Sequence, residues 1–227
     1  VRPTHIVSVP RIWEKVEEVK AEYGQTTVLR PAAVYRFFRA ESEGNSIAIY
    51  ANENDPKPSA RFTFDRQTKG DKLCLSDYLS PSCGPVDNMA IFVTTCGQNV
   101  REVSAELREK GEFLKSHILQ AVAIETAEAY AEYLHSYLRA AWGFPDSPNM
   151  TMMERFQARY RGKRYSFGYP ACPRLEDQAL LFELLHPADI GVQLTEGFMM
   201  DPEASVSALV FHHPDAKYFG VRGDSTT

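Results

Sequence analysis

The sequence predicts an α+β fold, and three observations carry that expectation. Residues 100–142 contain no proline and a single glycine, Gly111, and they place Phe113, His117, Leu119, Ala123, Ala127, Tyr130, Leu134 and Leu138 at helical spacing. Short apolar, β-branched or alternating runs at 46–50, 61–65, 89–95 and 208–211 read as strands. The two kinds of segment follow one another irregularly, not in the strict alternation that builds a doubly wound parallel sheet. With 227 residues, 44% hydrophobic and 24% charged, the chain has the composition of an ordinary globular protein, not of a disordered or fibrous one. At roughly 150 residues per domain it holds one large domain or two small ones.

Taken in order, residues 12–23 form the first helix, with Trp13, Val16, Val19 and Tyr23 on its apolar stripe and Gly24 as its stop. Residues 31–38 lead into a strand at 46–50, and the Asn/Asp/Pro-rich stretch 51–58 turns the chain. A second strand at 61–65 completes a hairpin. The apolar stretch 75–79 precedes a Ser/Pro/Gly loop, and 89–95 is a buried strand. The proline-free region divides into a helix ending near Lys110 and a long one over 112–141, ended by Gly143, Pro145 and Pro148. Beyond it lie a short helix at 150–160, a Gly/Pro/aromatic loop at 162–173, a helix at 175–185, and strands at 191–196, 208–211 and 218–221.

Composition also excludes functions. Lys plus Arg total 25 against 30 Asp plus Glu, a net charge of -5, so there is no global surplus to neutralise nucleic-acid phosphates. Only residues 155–164 are locally basic. No run approaches the ~18 apolar residues of a membrane span, and residues 1–15 lack the apolar core of a secretory leader. Four cysteines without a C-x-x-C pair suggest neither a disulfide framework nor a zinc site, so the reduced cytoplasm is the expected compartment. G-x-S-x-G, P-loop and G-x-G-x-x-G patterns do not occur, which leaves hydrolase, kinase and Rossmann readings without support. The abrupt ends suggest a piece of a larger polypeptide.

Three constellations carry candidate chemistry. Glu128, Glu132 and His135, at i, i+4 and i+7, share one helix face and suit a divalent metal, a proton relay or an ion-paired surface. The adjacent His212 and His213 would point to opposite sides of a strand, one buried and one exposed. Cys172 suits either a nucleophile or a small buried thiol. The segment 164–173 combines the planar donor fork of Arg164, the flat rings of Tyr165, Phe167 and Tyr169, and the tight turn that Gly168 permits, held rigid by Pro170 and Pro173. A ligand bearing an amino-acid moiety would need that combination. A rigid packing loop would show it too.

At this segment the chain resembles the activation domain of cobalamin-dependent methionine synthase. The family's R-x-x-x-G-Y motif is matched by Arg164, Gly168 and Tyr169, and runs into P-A-C-P. Its L-T-E, A-S-V-S and H-P-x-x-K-Y-F blocks are matched at 194–196, 204–207 and 213–219. The helix phrase A-E-A-x-A-E-x-L-H is matched at 127–135, and residues 28–35 and 74–77 resemble further blocks. Together these span about 11–221.

The resemblance implies a C-shaped α+β domain over 1–227, shortened at its N-terminus, built around a bent antiparallel sheet and binding S-adenosylmethionine on its inner surface. It implies that Arg164 takes the methionyl carboxylate and that Tyr165, Ser166 and Gly168 line the ligand through their backbone. Tyr169 would face the cobalamin, Tyr218 and Phe219 the adenosyl group, and Glu128 the ammonium or sulfonium charge. It also implies the chemistry of reactivation. A sulfonium methyl group is presented to cobalamin held by a neighbouring module, while a flavodoxin-type donor supplies an electron. The family's N-terminal aspartate has no match here, and Ala158 or Arg159 stands where the family has an acidic residue ahead of the arginine motif. Those departures motivate an alternative, a corrinoid-docking module that no longer binds S-adenosylmethionine.

Overall fold

A computed structural model describes residues 9–221. In chain order the elements are α1 (Val9–Tyr23), β1 (Pro31–Glu43), β2 (Ser46–Tyr50), β3 (Ala60–Thr63), β4 (Asp87–Cys96), α2 (Val100–Glu109), α3 (Phe113–Ala141), α4 (Met152–Phe156), β5 (Lys163–Tyr165), α5 (Gln178–Leu185), β6 (Gln193–Leu194), β7 (Met200–Asp201) and β8 (Ser205–Phe211). Short 3-10 turns occupy Leu75–Tyr78, Leu175–Asp177 and Pro187–Ile190. Six strands form an antiparallel sheet in the order β3-β2-β1-β4-β8-β5, and β6 and β7 pair separately. The α+β class, the hairpin of β2 with β3 and the buried strand β4 agree with the sequence expectation.

At β4 and β8 the sheet is covered on both faces, which is why those strands read as continuous apolar runs and not as alternating ones, whereas the neighbouring β1 keeps Tyr35, Arg36 and Phe37 exposed. Along β4, Met89, Ile91 and Val93 enter one core with Phe38, Ile47, Ile49, Leu209 and Phe211, closed by Tyr78 and by Leu181 and Leu185 of α5. Their neighbours Ala90 and Phe92 enter the other, with Val206, Ala208 and Val210 and the helices α1, α2 and α3. Successive strand residues point to opposite faces, so this division follows from the period of 2. The 29-residue α3 lays Leu119, Ala123, Ala127, Ala131 and Leu138 on the sheet, all at most 1% exposed. Small residues at i, i+4 and i+8 let the helix backbone approach closely, so polar groups one turn away sit directly above the strands.

Several local expectations are corrected. Residues 31–43 are one long strand, because β1 pairs with β2 on one side and β4 on the other. The helix expected over 150–160 covers only Met152–Phe156: Thr151 and Glu154 cap its start reciprocally, and Ala158 at φ 49° lies outside helical geometry. The helix expected at 175–185 begins as a 3-10 turn, and the strand at 191–196 shrinks to two residues. Residues 218–221 form no strand; instead the Val221 amide donates to the Pro170 carbonyl (3.0 Å). Trp13 is 63% exposed, whereas Val19, further along the same stripe, is fully buried. Its helix meets α3 at the C-terminal end, where Lys115 pairs with Glu22 and lies over the Tyr23 ring. Trp13 is ten residues earlier, roughly 15 Å along the axis.

Candidate functional site

The loop expected at 162–173 begins with strand β5, at the edge of the sheet. Arg164 lies opposite Val210 and Tyr165 opposite Leu209 in its pairing with β8. Cross-strand partners share a face, so Arg164 projects to the α3 side and Tyr165 to the other core. Beyond β5 the chain closes a tight turn: the Gly168 amide donates to the Cys172 carbonyl (3.0 Å), and the Cys172 amide to the Tyr169 carbonyl (3.0 Å). Gly168 has φ 86°, a conformation that favours glycine, and a Cβ there would lie 3.3 Å from a Leu175 methyl. The Ser166 carbonyl accepts from the Cys172 thiol (3.0 Å).

Across the turn runs the segment after β8. The Tyr165 hydroxyl donates to the Lys217 carbonyl (2.8 Å), and the Tyr78 hydroxyl approaches the same carbonyl at 3.3 Å. Those bonds place Tyr218 and Phe219 edge-on and tilted toward the Tyr165 ring, with centroids 5.6 and 6.3 Å away. Between this segment, the turn and α3 lies a pocket of about 540 Å³, lined by Glu128, Arg164, Tyr165, Ser166, Tyr169, Val206, Tyr218 and Phe219 together with Pro170 and Ala171. That volume is within the roughly 300–1,000 Å³ of small-molecule sites. Of the eight residues named from the sequence, seven line this one pocket; Gly168 shapes the turn instead. Phe167, expected among the ligand-facing rings, is buried in the core against Phe62, 5.5 Å between centroids.

The electrostatics centre on Arg164. Its Nη1 donates to Glu132 Oε2, while its Nη2 is 3.9 Å from Glu128 Oε2. Burial disfavours the guanidinium charge, but the Glu132 hydrogen bond and charge outweigh it and hold Arg164 above its usual pKa. Burial pushes the Tyr218 and Tyr160 phenols up, the latter helped by Glu132, so both are neutral. The candidate trio on α3 is divided among other partners. Glu132 serves Arg164 and the Tyr160 hydroxyl (3.0 Å), Glu128 faces the pocket, and His135 is fully buried with its ring edge-on to Tyr160.

Cys172 is a buried thiol pushed up to about 12 by desolvation. His212 and His213 are both half-buried, not divided between inside and outside. His212 lies beyond the end of β8, where its ring contacts Asp87 (2.8 Å), and His213 sits against Tyr78. Sequence reasoning missed the partners beneath the pocket, Tyr160, Arg139 and Asp146. Their only trace was the recurrence of charge at Glu128, Glu132 and Arg139 on one helix.

Fold and pocket together define an α+β domain with a charged, aromatic-lined pocket at the edge strand of an antiparallel sheet. The profile of the family described as "Vitamin B12 dependent methionine synthase, activation domain" matches residues 5–224, and the chain belongs to that family. It is 38% identical over 205 residues to a methionine synthase of Mycobacterium tuberculosis and 37% identical over 205 residues to that of Mycobacterium leprae. Each alignment covers 84% of this chain and 17% of the relative, so the chain spans about a sixth of those proteins. A crystal structure of the MetH reactivation domain bound to AdoHcy superposes with a TM-score of 0.87 at 31% identity, covering 93% of this chain and 67% of that one.

Proposed function

We propose that this chain is the activation module of a longer cobalamin-dependent methionine synthase and that it binds S-adenosylmethionine in the pocket beside Arg164. The supporting observation is the convergence of an arginine, a carboxylate and three tyrosines on one cavity of suitable size. The residues fit the ligand's chemistry. The Nε and Nη2 of Arg164, which make no hydrogen bond among the described residues, suit a carboxylate, and Glu128 suits the ammonium group. The rings of Tyr218 and Phe219 offer stacking area for the adenine, with Tyr165 and Val206 as walls. The Tyr169 ring, 62% exposed at this pocket, offers a flat apolar surface to a corrin held by a neighbouring module.

When bound, S-adenosylmethionine supplies an electrophilic methyl group whose acceptor is the cobalamin of that module, with a flavodoxin-type protein as electron donor. The chain's own part is proximity and orientation: it needs no acid, base or nucleophile, only a pocket that fixes both ends of the ligand. A reduced, cytoplasmic setting suits such a module. No helix among the described residues is long and apolar enough to cross a membrane.

Isothermal titration of the chain with S-adenosylmethionine tests the proposal. Saturable one-to-one binding is expected, weakened at least tenfold in Arg164→Ala, since a hydrogen bond to a charged group contributes about 1.5–3 kcal/mol. No heat from the folded wild-type chain would refute binding and favour a module that only docks.

A further inference from the structure

We propose that Glu132 is a positioning residue: it holds Arg164 against the pocket wall so that one edge of the guanidinium stays presented to a ligand carboxylate. The inference rests on the pocket being the S-adenosylmethionine site. Glu132 Oε2 accepts from Arg164 Nη1 and from the Tyr160 hydroxyl at 3.0 Å. Its other oxygen, buried, lies 3.8 Å from Nη2 of Arg139. Arg139 is 1% exposed, donates to both oxygens of Asp146 at 2.6 Å, and stacks on the Tyr160 ring with Cζ 3.7 Å from its centroid. Charges therefore alternate along Asp146, Arg139, Glu132 and Arg164: hydrogen bonds join the first pair and the last, and the Arg139–Glu132 step is a longer charge contact.

The geometry sets the direction of the effect. An arginine side chain free to rotate must be ordered when a ligand binds, and ordering it beforehand removes that cost. Glu132 engages Nη1 alone, which leaves Nη2 and Nε for the ligand. Glu128, 3.9 Å from Nη2, is the competing partner. Without the charge of Glu132, Arg164 pairs with Glu128, and the two pocket groups that suit the ligand's carboxylate and ammonium neutralise each other instead. The sequence offered Glu132 as one of a helix-face trio suited to a metal, a proton relay or an ion-paired surface; its function here is carried through another side chain.

Two readouts test this. In titration with S-adenosylmethionine, Glu132→Gln should bind roughly tenfold more weakly than wild type, but change affinity less than about twofold when Arg164 is already alanine, because residues acting as a unit are non-additive. Tyr160→Phe removes only the hydroxyl that donates to Glu132 and should weaken binding about threefold, which serves if Glu132→Gln does not fold. Independently of any ligand, nitrogen–proton NMR of Arg164 should show separate guanidinium Nη signals in the wild type, averaged by fast rotation in both variants. Wild-type affinity in Glu132→Gln, or an equal loss with and without Arg164, overturns the positioning role. Absence of binding by a wild type whose Arg164 signals are resolved overturns the S-adenosylmethionine reading and leaves the held guanidinium standing.

Discussion

Removing Asp146 isolates the energetics of the charge buried beneath the pocket. Arg139 is 1% exposed and Asp146 7%, and two parallel hydrogen bonds of 2.6 Å join them. Asp146 also receives Arg155 at 3.1 Å. In Asp146→Ala the guanidinium of Arg139 keeps only the distant Glu132 oxygen, 3.8 Å away, and the face of Tyr160. Its Nη1 already lacks a hydrogen-bond partner, so nothing else in the interior takes up the charge. Breaking a buried pair by deleting one member costs about 3–5 kcal/mol, because the survivor stays desolvated.

That loss is a large part of the 5–15 kcal/mol typical of a whole domain. At about 2–4 °C per kcal/mol for a chain of this size, the midpoint of thermal unfolding should fall by roughly 6–20 °C. Urea unfolding at neutral pH measures the difference directly. The control is Arg101→Ala, which breaks a similarly forked pair with Asp201 that is 65% and 40% exposed. Exposed pairs contribute about 0–1 kcal/mol, so that variant should unfold within about 1 kcal/mol of wild type. A loss below about 1 kcal/mol in Asp146→Ala would refute the view that burial, not bond geometry, sets the cost.

Other predictions concern titration and reactivity. His135 is fully buried, and desolvation together with Arg139, Arg164 and Lys163 holds its imidazole well below the ordinary histidine value of about 6.5, so the folded protein keeps it neutral. The unfolded chain binds a proton there as pH falls below about 6.5 and the folded chain does not. Stability should therefore drop from that point down to the folded pKa, by up to about 1.4 kcal/mol per pH unit from this group alone. His135→Asn should flatten the slope of unfolding free energy between about pH 6.5 and 5.5; an unchanged slope would remove His135 as its source. Of the four cysteines only Cys83 is exposed, and Cys172 is pushed up to about 12. Ellman's reagent should label one thiol rapidly in the native protein and four in denaturant; rapid native labelling of Cys172 would contradict its burial.

Local pattern revealed the elements whose periodicity is intrinsic. The long helix was legible because its apolar residues recur over eight turns, and β4 because residues 89–95 form an apolar, β-branched run without a break signal. Strand β5 was not, since three residues show no period, and what makes them a strand is β8, some forty residues later. The irregular path of 218–221 was hidden for the same reason, since its Val221 amide bonds to the distant Pro170 carbonyl; the end of α4 is local, set at the positive φ of Ala158, a non-glycine residue that gives no stop signal. The pocket residues were legible through motif resemblance and not through physics, because an arginine beside aromatic residues looks the same in a packing loop. Glu132 shows the limit most clearly. Its spacing from Glu128 was visible, but which cation it faces depends on the register of a strand the pattern did not reveal.

That register is the step on which the whole site depends. A strand of three residues has little pairing of its own to resist a shift, and a slip of one residue exchanges its faces. Arg164 would then enter the core of Phe62, Phe167 and Phe211, and Tyr165 would meet Glu132. Three contacts oppose the slip. Gly162 passes so close to the Phe211 carbonyl that a Cβ would lie 2.4 Å from it, which seats the start of β5 at φ 75°. Arg161 Nε donates to the His212 carbonyl at 2.9 Å, one residue beyond β8. On the other side the Tyr165 hydroxyl reaches the Lys217 carbonyl at 2.8 Å. Each contact ties β5 to β8 or to the segment just after it, so the strand that carries Arg164 is aligned by the same stretch of chain that carries Tyr218 and Phe219. The two sides of the pocket are thus placed relative to each other by one set of bonds, without depending on the length of the loops between them.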